Sequence, residues 1–298
     1  MSIKKLLSKD NIKKLLLTLI VVALLVLSVK LISDLIFNRA KPPVYQLITT
    51  HQGFPLIFNA NDRFVGKYLL ENKGYATNLD EYYAYFLPTG STVIDIGSDY
   101  GYHTVLFASK AGKFSTIYSI EPRADSMRVA GYNYNLNQVD NVVVLNKLLY
   151  SYGSPRYLHA PKYSTMWEVV LDEKAGYVKN KDSLYQVQAH SLDEVIKNVF
   201  GVNLMRINGN GTELEIIKGA KSVIEKSPNI GIFLHWNAPL ISAYSDISHT
   251  TRQLAEIGFN FWLVDEVGNI QTLSEKDLKS LKNGDVIITK KDVQSILK

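Results

Sequence analysis

Beyond about residue 44, short apolar runs rich in β-branched residues alternate with longer segments of helical periodicity. Seven of these runs are predicted to be strands: STVIDIG, TIYSIEP, NVVVLNKLL, NLMRING, NIGIFLHW, FNFWLVDE and DVIITKK. The helical segments are YHTVLFASKAG, ADSMRVAGYNYNLNQ and TELEIIKGAKSVIEK. Short apolar strands joined by helices form a mostly parallel sheet that helices cover on both faces. The sequence therefore predicts an α/β fold.

The positive charge of the chain is concentrated near its N-terminus. The formal net charge is +5, and residues before position 15 supply +4 of it, which leaves +1 for the remainder. A nearly neutral remainder has no bulk attraction for phosphate backbones, and the sequence has no zinc-finger spacing and no basic helix with stacking aromatics. Nucleic acid is therefore not an expected partner. The charged residues of this flank are Lys4, Lys5, Lys9, Asp10, Lys13 and Lys14.

The chain contains no cysteine, which excludes disulfides, thiolate metal ligands and a catalytic thiol. No group of His, Asp and Glu has the spacing of a metal site, so we expect no metal. A cysteine-free chain tolerates either redox state, and the count therefore does not indicate a compartment.

An uncharged stretch, LLLTLIVVALLVLSV (Leu15–Val29), follows the lysine-rich flank. If Lys30 extends its charge toward the interface, the apolar segment becomes Leu15–Ile32. At about 1.5 Å per residue it then just spans a hydrocarbon core of roughly 30 Å. The favoured prediction is an uncleaved single-pass anchor, with the membrane as a partner. A cleaved signal peptide and a soluble or interfacial helix are the alternatives.

This interpretation divides the chain into a basic flank (1–14), a membrane-spanning helix (15–33), a linker (34–55) and the folded domain (56–298). The positive-inside rule places the N-terminus in the cytoplasm, which would put the domain outside the cell. The cofactor inferred below is made in the cytoplasm, so the side on which the domain lies stays open.

The residues after the first two strands are candidates for a ligand site, because ligands bind beyond the C-terminal ends of parallel strands. The first strand is followed by DIGSDYG, in which Gly97 and Gly101 allow a sharp turn and a close approach to a ligand. The next helix begins near Tyr102, with its free N–H groups directed at the turn. The second strand ends at Glu121, where an acid can accept hydrogen bonds from both ribose hydroxyls.

The turn reads D-x-G-x-x-x-G and not G-x-G-x-x-G. It lacks the middle glycine that a pyrophosphate needs for close approach, and it lacks the G-K-[ST] of a phosphate-binding loop. A nucleoside without phosphates fits this turn best, and S-adenosylmethionine is the common one. The sequence therefore predicts S-adenosylmethionine as the cofactor.

Five blocks of the chain resemble the FkbM-type methyltransferases, a family of S-adenosylmethionine-dependent O-methyltransferases. The resemblance extends from about Phe58 to Leu234 and includes TVIDIGSDYGYHTVLFAS, IYSIEP, NVVVLNKLLYS, HSLDEVI and LMRINGNGTELEIIKGA. It implies a Rossmann-like, seven-stranded methyltransferase sheet with helices on both faces, preceded here by the N-terminal anchor helix.

By position, the resemblance implies a set of cofactor-binding residues. The turn would line the methionine end of the cofactor, the start of the helix would lie over it, and the acid would hold the ribose. The family usually has Ala-Asn where this chain has Ser-Asp in the turn. The residues are Asp95, Gly97, Ser98, Asp99 and Gly101 in the turn, Tyr102, His103 and Thr104 in the helix, and Glu121 at the ribose.

The chain departs from the family near the substrate pocket. Where the family reads I-D-V-E-G-A-E, this chain reads INGNGTE, so that Asn208 replaces an Asp and Asn210 replaces a Glu. His235 stands where relatives often place a Glu, whereas Glu213 is retained. The resemblance therefore implies Asn208, Asn210 and His235 as the residues at the catalytic positions.

Methylation of a hydroxyl needs a base for its proton, which contributes about 10²–10⁴-fold to the rate. An asparagine cannot act as that base, whereas a histidine with a pKa near 6.5 can. His235 is the first candidate, and His103, beside the cofactor, is the second. The tyrosines of EYYAYF precede the cofactor turn and are candidates for the wall of the pocket.

The favoured function is an S-adenosylmethionine-dependent O-methyltransferase acting on a hydroxyl of a glycan, a lipid-linked sugar or another small molecule. Because family acids are replaced, the alternative is a catalytically impaired pseudoenzyme that serves as a binding or scaffolding domain at a membrane. The sequence names neither the acceptor nor a protein partner. Acceptor specificity is expected in loops such as Ser151–Asn180, which the pattern does not fold.

Overall fold

A computed structural model describes residues 9–37, 42–161, 164–170 and 183–293. The chain divides into two compact units, residues 1–41 and residues 42–298. The first unit contains one long helix, α1 (Lys9–Phe37). Lys4 and Lys5 of the basic flank lie outside the described residues.

The predicted membrane anchor is not supported. Among the residues that the structure describes, no helix combines the length and the apolar character needed to cross a bilayer. The uncharged stretch ends before Lys30, and at about 1.5 Å per residue Leu15–Val29 reaches only roughly 22 Å of a core of roughly 30 Å. The prediction of a single-pass membrane location, and with it the orientation of the N-terminus across the membrane, is therefore wrong.

The second unit contains all the strands and the remaining helices of the described residues. The strands are β1 (Tyr45–Thr49), β2 (Pro55–Asn59), β3 (Thr92–Ile96), β4 (Thr116–Ile120), β5 (Val142–Leu145), β6 (Leu148–Leu149), β7 (Ser154–His159), β8 (Glu168–Val170), β9 (Leu184–His190), β10 (Val202–Ile207), β11 (Gly231–Trp236), β12 (Asn260–Val264), β13 (Ile270–Leu273) and β14 (Gly284–Thr289). The helices are α2 (Val65–Asn72), α3 (Asp80–Phe86), α4 (Tyr102–Ala111), α5 (Ala124–Leu136), α6 (Leu192–Val195), α7 (Glu213–Lys218), α8 (Lys221–Glu225), α9 (Ala238–Ile241), α10 (Ile247–Glu256) and α11 (Glu275–Ser280).

The central sheet has eight strands in the order β13-β12-β14-β11-β10-β3-β4-β5. The five strands from β11 to β5 are parallel, whereas β14 runs antiparallel to both β11 and β12. All seven predicted strands are present, and the edge strand β13 is an eighth that the pattern did not indicate. The chain builds outward from β3 to β5 and later returns to place β10 beside β3. The strand order therefore reverses at the C-terminal ends of β3 and β10, which is where α/β sheets bind ligands.

Helices cover both faces of this sheet, as the alternation of side chains along the strands requires. In β3, Ile94 belongs to a core that includes Leu214 and Ile217 of α7. Its neighbour Val93 points to the other face and belongs to a core that includes Phe107 of α4. Because successive strand residues point to opposite faces, an apolar run such as VIDI is buried on both sides. The sheet is thus the core of an α/β fold, with helices on both faces and mixed strand directions.

Strands β1 and β2 form an antiparallel hairpin, with Tyr45 opposite Asn59. The segment interpreted as a linker (34–55) thus contains β1. The side-chain amide of Asn133 in α5 fixes β2, because its oxygen accepts from the N–H of Ile57 at 2.7 Å and its nitrogen donates to the Ile57 carbonyl at 2.8 Å.

A second sheet has the order β6-β9-β7-β8, and two of its strands, β7 and β8, come from the segment that the pattern did not fold. Its own small core includes Leu148, Leu158, Trp167 and Ala189. Residues 162–163 and 171–182 of this region lie outside the described residues.

The segment TELEIIKGAKSVIEK was predicted to be one helix, but it forms two, α7 and α8. The break lies at Gly219, where an added Cβ would meet the carbonyl oxygen of Tyr150. The N–H of Gly219 bonds to Glu215 as in a helix, and the N–H of Ala220 bonds instead to Ile217, one residue closer. The close contact with a neighbouring backbone explains why a glycine stands here.

We expect Gly219→Ala to lower the free energy of unfolding by about 1–3 kcal/mol, because the methyl group overfills a site closed by backbone. The matched control is Gly131→Ala in α5, where an added Cβ meets nothing within 4 Å. That change should raise stability by about 0.5–1 kcal/mol through helix propensity. Urea denaturation followed by circular dichroism measures both changes, and equal effects of the two changes would contradict the assignment.

Candidate functional site

The turn between β3 and α4 is shaped by three residues with positive φ. Gly97 has φ +73°, Asp99 has φ +50° and Gly101 has φ +81°. A Cβ at Gly97 would collide with the carbonyl oxygen of Asn208, and a Cβ at Gly101 would lie 2.6 Å from the ring of Tyr134. The glycines therefore form the sharp turn that the sequence indicates, but their close approach is to other parts of the protein and not to open ligand space.

A buried ion pair lies under this turn. Arg206 of β10 donates from Nη1 to Oδ1 of Asp95 at 2.9 Å, and the same atom lies 3.2 Å from the carbonyl oxygen of Gly97. The other carboxylate oxygen, Oδ2, accepts from the hydroxyl of Thr104 at 2.6 Å. Asp95 is 0% exposed and Arg206 is 6% exposed. Asp95 and Thr104, predicted to bind the cofactor, are thus engaged inside the protein.

Two carboxyl groups lie close to the turn, at Asp99 and Glu121. Glu121 is fully buried and accepts from the backbone N–H of Arg123 at 2.9 Å and of Asp99 at 3.3 Å. Burial raises the pKa of Glu121 to about 7, against the lowering effect of these N–H groups. Burial, and then the neighbouring Glu121, raises the pKa of Asp99 well above its ordinary value. Without further hydrogen-bond donors, burial therefore favours the neutral form of the carboxyl groups of Asp99 and Glu121.

The remaining predicted cofactor residues are buried. Ser98 accepts from the hydroxyl of Ser119 at 2.9 Å. The hydroxyl of Tyr102 lies 3.3 Å from Nδ1 of His51. Ser98 and Tyr102 therefore contact protein groups.

His103 lies in a cage of aromatic rings: Tyr75, Tyr83, Tyr102 and Phe107. It is 3% exposed, and its Nε2 has no hydrogen-bond partner in the described structure. Burial lowers the pKa of His103 well below 6.5, and the charge of Arg206 lowers it further. This imidazole is neutral at neutral pH, and it lines neither of the two cavities described next.

Two cavities meet at the switch point of the sheet. The larger has a volume of about 580 Å³ and the smaller about 370 Å³. Both are lined by Tyr68, Tyr75, Asn208 and His235. Asn210 and Asp99 line the smaller cavity, so the three residues at the catalytic positions all reach cavity space. Glu121 lines neither cavity.

Asn208 follows β10 directly and joins the two parts of the site. Its backbone N–H donates to the carbonyl of Ile96 at 2.9 Å, and its side-chain Nδ2 lies 3.4 Å from Oδ2 of Asp99. Its neighbour Asn210 has φ +49°, a conformation that asparagine tolerates better than most residues. The retained acid, Glu213, accepts from the N–H groups of Gly209 and Gly211 and so holds the turn. That carboxylate therefore has a structural role.

His235 lies at the junction of the cavities with a carboxylate beside it. Its Nδ1 is 3.1 Å from Oδ1 of Asp285, and its side chain is 47% exposed. The hydrogen bond with Asp285 raises the pKa of His235, and burial opposes this effect. Of the EYYAYF tyrosines, Tyr83 lines the larger cavity.

Sequence reasoning missed Arg206 and Asp285. A signal for Arg206 was present, because a charge within the apolar run NLMRING must be paired when the strand is buried. Asp285 carried no comparable signal, because an acid at the start of DVIITKK resembles an ordinary solvated strand end.

We expect Asp95→Asn to lower the free energy of unfolding by about 3–5 kcal/mol, because it leaves the Arg206 charge buried without its partner. The control is Glu225→Gln, which breaks the exposed pair of Glu225 with Lys221 at 3.9 Å. That change should alter stability by no more than about 1 kcal/mol. Chemical denaturation at one pH compares the two, and a small effect of Asp95→Asn would contradict the structural role of the pair.

The raised pKa of Glu121 predicts a pH dependence of stability. Between about 4.5 and 7 the folded state holds a proton that the unfolded chain has lost, so the free energy of unfolding falls as pH rises through this window. The contribution is on the order of 3 kcal/mol. Glu121→Gln should reduce this slope to the part that the raised pKa of Asp99 contributes, and an unchanged slope in denaturation curves across this range would contradict the prediction.

Comparison with known proteins gives a family for the chain. A search of curated proteins found no match. Among solved structures, the chain is similar to a methyltransferase FkbM from Methylobacillus flagellatus KT, with 14% identity and a TM-score of 0.44 over 67% of this chain and 44% of that one. It is also similar to an O-methyltransferase from Bacillus cereus in complex with SAH, with 11% identity and a TM-score of 0.41 over 72% and 81%. These likenesses are too weak to support any inference.

The chain spans less than half the length of the Methylobacillus flagellatus protein. The family model for the methyltransferase FkbM domain matches residues 95–261, which is more than half of the chain and includes the turn, the switch point and His235. The resemblance stated from the sequence is thus confirmed, and the protein belongs to the methyltransferase FkbM domain family.

Proposed function

We propose that this methyltransferase uses S-adenosylmethionine to methylate a hydroxyl of a glycan, a lipid-linked sugar or another small molecule. The observation that carries the proposal is the junction of two cavities at Asn208 and His235, at the switch point of the sheet. The cofactor turn opens on one side of this junction through Asp99. His235, which can take a proton, lines both cavities at this junction.

The hydrogen-bonding capacity of Glu121 fits the ribose of the cofactor. Each carboxylate oxygen of Glu121 has one backbone N–H donor, so each retains capacity for a further hydrogen bond. A ribose offers two hydroxyl donors in adjacent positions, which matches this remaining capacity. Those donors favour the charged carboxylate and would offset the effect of burial on its pKa. Because Glu121 is fully buried, a nucleoside that reaches it must displace the groups around it.

The bound cofactor would supply an activated methyl group. Asn208 would orient it, because its amide can donate and accept at the wall that both cavities share. The cavities would hold the acceptor oxygen in line with the methyl group, which is the main requirement of this reaction. The ion pair of Asp95 and Arg206 would hold the floor of the site without contacting the cofactor.

The larger cavity suits an uncharged polyhydroxyl ring. Tyr68 and Tyr75 offer aromatic faces. Asn283 offers an amide, and Asn78 offers its amide oxygen, because its N–H groups are bonded within the protein. The carboxylates of Glu266 and Asp285 can accept from hydroxyl groups. Aromatic faces beside amides and carboxylates suit a sugar better than an apolar acceptor.

Calorimetry tests the cofactor. The wild type should bind S-adenosylmethionine or its demethylated product, and Glu121→Gln should weaken binding about 10–100-fold, the equivalent of about 1.5–3 kcal/mol for hydrogen bonds to a charged group. Glu81→Gln, an exposed change in α3, is the control and should leave binding unchanged. No heat for either ligand with a folded sample would remove the proposal.

Methyl transfer tests the base. His235→Ala should reduce transfer of a labelled methyl group to glycan and lipid-linked sugar acceptors by about 10²–10⁴-fold. The double change Asn208→Asp and Asn210→Glu, which restores the family acids, should keep the rate of methyl transfer within a few-fold of the wild-type rate, because the proposed base is His235. Full activity of His235→Ala, or a large gain from the double change, would overturn the assignment of the base. A wild type that binds the cofactor but transfers no methyl group would instead support a binding function.

A further inference from the structure

The imidazole of His235 and the carboxylate of Asp285 are brought together by strand pairing. His235 on β11 stands directly opposite Asp285 on the antiparallel strand β14. Side chains at directly opposed positions lie on the same face and within reach of each other. The contact between Nδ1 and Oδ1, at 3.1 Å, is therefore fixed by the sheet and not by a loop.

The carboxylate is held at its second oxygen as well. Nδ2 of Asn78 donates to Oδ2 of Asp285 at 2.9 Å, and it also donates to the carbonyl of Asp265 at 3.1 Å. Asp285 is 19% exposed at its side chain, so solvent competes weakly for these bonds. Asn78, Asp285 and His235 therefore form a chain of hydrogen-bonded side chains along the wall of the larger cavity.

A carboxylate accepts hydrogen bonds and donates none, so the ring nitrogen beside it must carry a proton. The neutral tautomer of His235 is then the one protonated at Nδ1, and its Nε2 has a lone pair. The imidazole lines both cavities, and because Nδ1 is engaged by Asp285, Nε2 is the nitrogen that would accept the proton of a bound hydroxyl.

We infer that Asp285, braced by Asn78, is a positioning residue that fixes His235 in the orientation and tautomer of a general base. The inference rests on the proposed function. When the acceptor reacts, its O–H bond breaks, the proton forms an N–H bond at Nε2, and the oxygen uses the freed electron pair to bond the methyl group. The bond between that methyl group and the cofactor sulfur would break, and its electron pair would stay on the sulfur. The resulting imidazolium lies beside the carboxylate of Asp285, which stabilises its charge.

Other groups also act on the imidazole. Glu213 of α7 and Asn283, which precedes β14, raise the pKa of His235, although the bond to Asp285 is the largest contribution. Charged and titratable groups lining the same cavities also face the site: Arg206, Glu266, Asp99, Arg63, Lys67, Glu71, Tyr68, Tyr75 and Tyr83. Removing Asp285 therefore changes the largest influence on the ring and leaves the others in place.

The first test is an NMR titration of the His235 ring in the full chain. In the wild type the ring should titrate above 6.5, and Asp285→Asn should lower that value, because an amide supplies no charge and can donate to Nδ1 and reverse the tautomer. The matched control is Glu168→Gln, which removes the carboxylate 2.9 Å from Nδ1 of His159 and should leave His235 unchanged. An unchanged titration of His235 in Asp285→Asn overturns the inference, whatever the activity.

The second test is the pH profile of methyl transfer. Asp285→Asn should lower kcat at least about tenfold and move the rising limb to lower pH, while the Kd for S-adenosylmethionine stays unchanged. Asp285→Glu should restore part of kcat and return the limb toward the wild-type position. Asn78→Ala, which leaves the carboxylate in place, should give a smaller loss of kcat.

If Asp285→Asn has the wild-type kcat and the rising limb of its pH profile is not shifted, the inference is overturned, whereas the proposed function is not. Absence of cofactor binding by the wild type would instead remove the proposed function, and the titration would still decide whether Asp285 controls the imidazole.

Discussion

The ion pair between Asp95 and Arg206 holds the switch point of the sheet together. It joins the ends of β3 and β10, and through Thr104 and the carbonyl of Gly97 it also fixes the first turn of α4 and the glycine turn. Removing either partner of a pair buried to this degree leaves an uncompensated charge and strongly destabilises the fold. Both cavities meet above this pair, and their shape depends on it.

The strand pattern allowed most of the central sheet to be predicted, because strands buried on both faces read as unbroken apolar runs. The hairpin β1-β2 and the second sheet were not predicted. The short edge strand β13 was not predicted, because its sequence IQTL is half exposed and polar at two positions. One helix was predicted after Asn208, but the segment forms two, α7 and α8. The break depends on the tertiary contact of Gly219 with Tyr150, which the hydrophobic periodicity of the sequence does not show. The prediction of an N-terminal membrane anchor was wrong because it extended the apolar segment through the charged residue Lys30.

The site was predictable only in part, since sequence shows which residues follow strands but not which side chains meet. Asn208, Asn210 and His235 line cavity space, whereas Asp95 and Thr104 bond to each other and Glu121 lies below the surface. The partnership of His235 with Asp285 depends on the register of two strands far apart in the chain. Under the proposed function, the replaced acids would therefore not leave the site without a base, because another strand supplies the carboxylate that orients His235.

A crystal structure of the full chain with S-adenosylhomocysteine would test whether the cofactor binds at the turn after β3, between Glu121 and the cavities that His235 lines. Our account predicts both ribose hydroxyls on the carboxylate of Glu121 and the sulfur atom beside Asp99 and Asn208, facing the cavity that His235 lines. A ligand bound without contact to Glu121, for example in the cavity of about 420 Å³ lined by Ile217, Leu254 and Ile257, would contradict it.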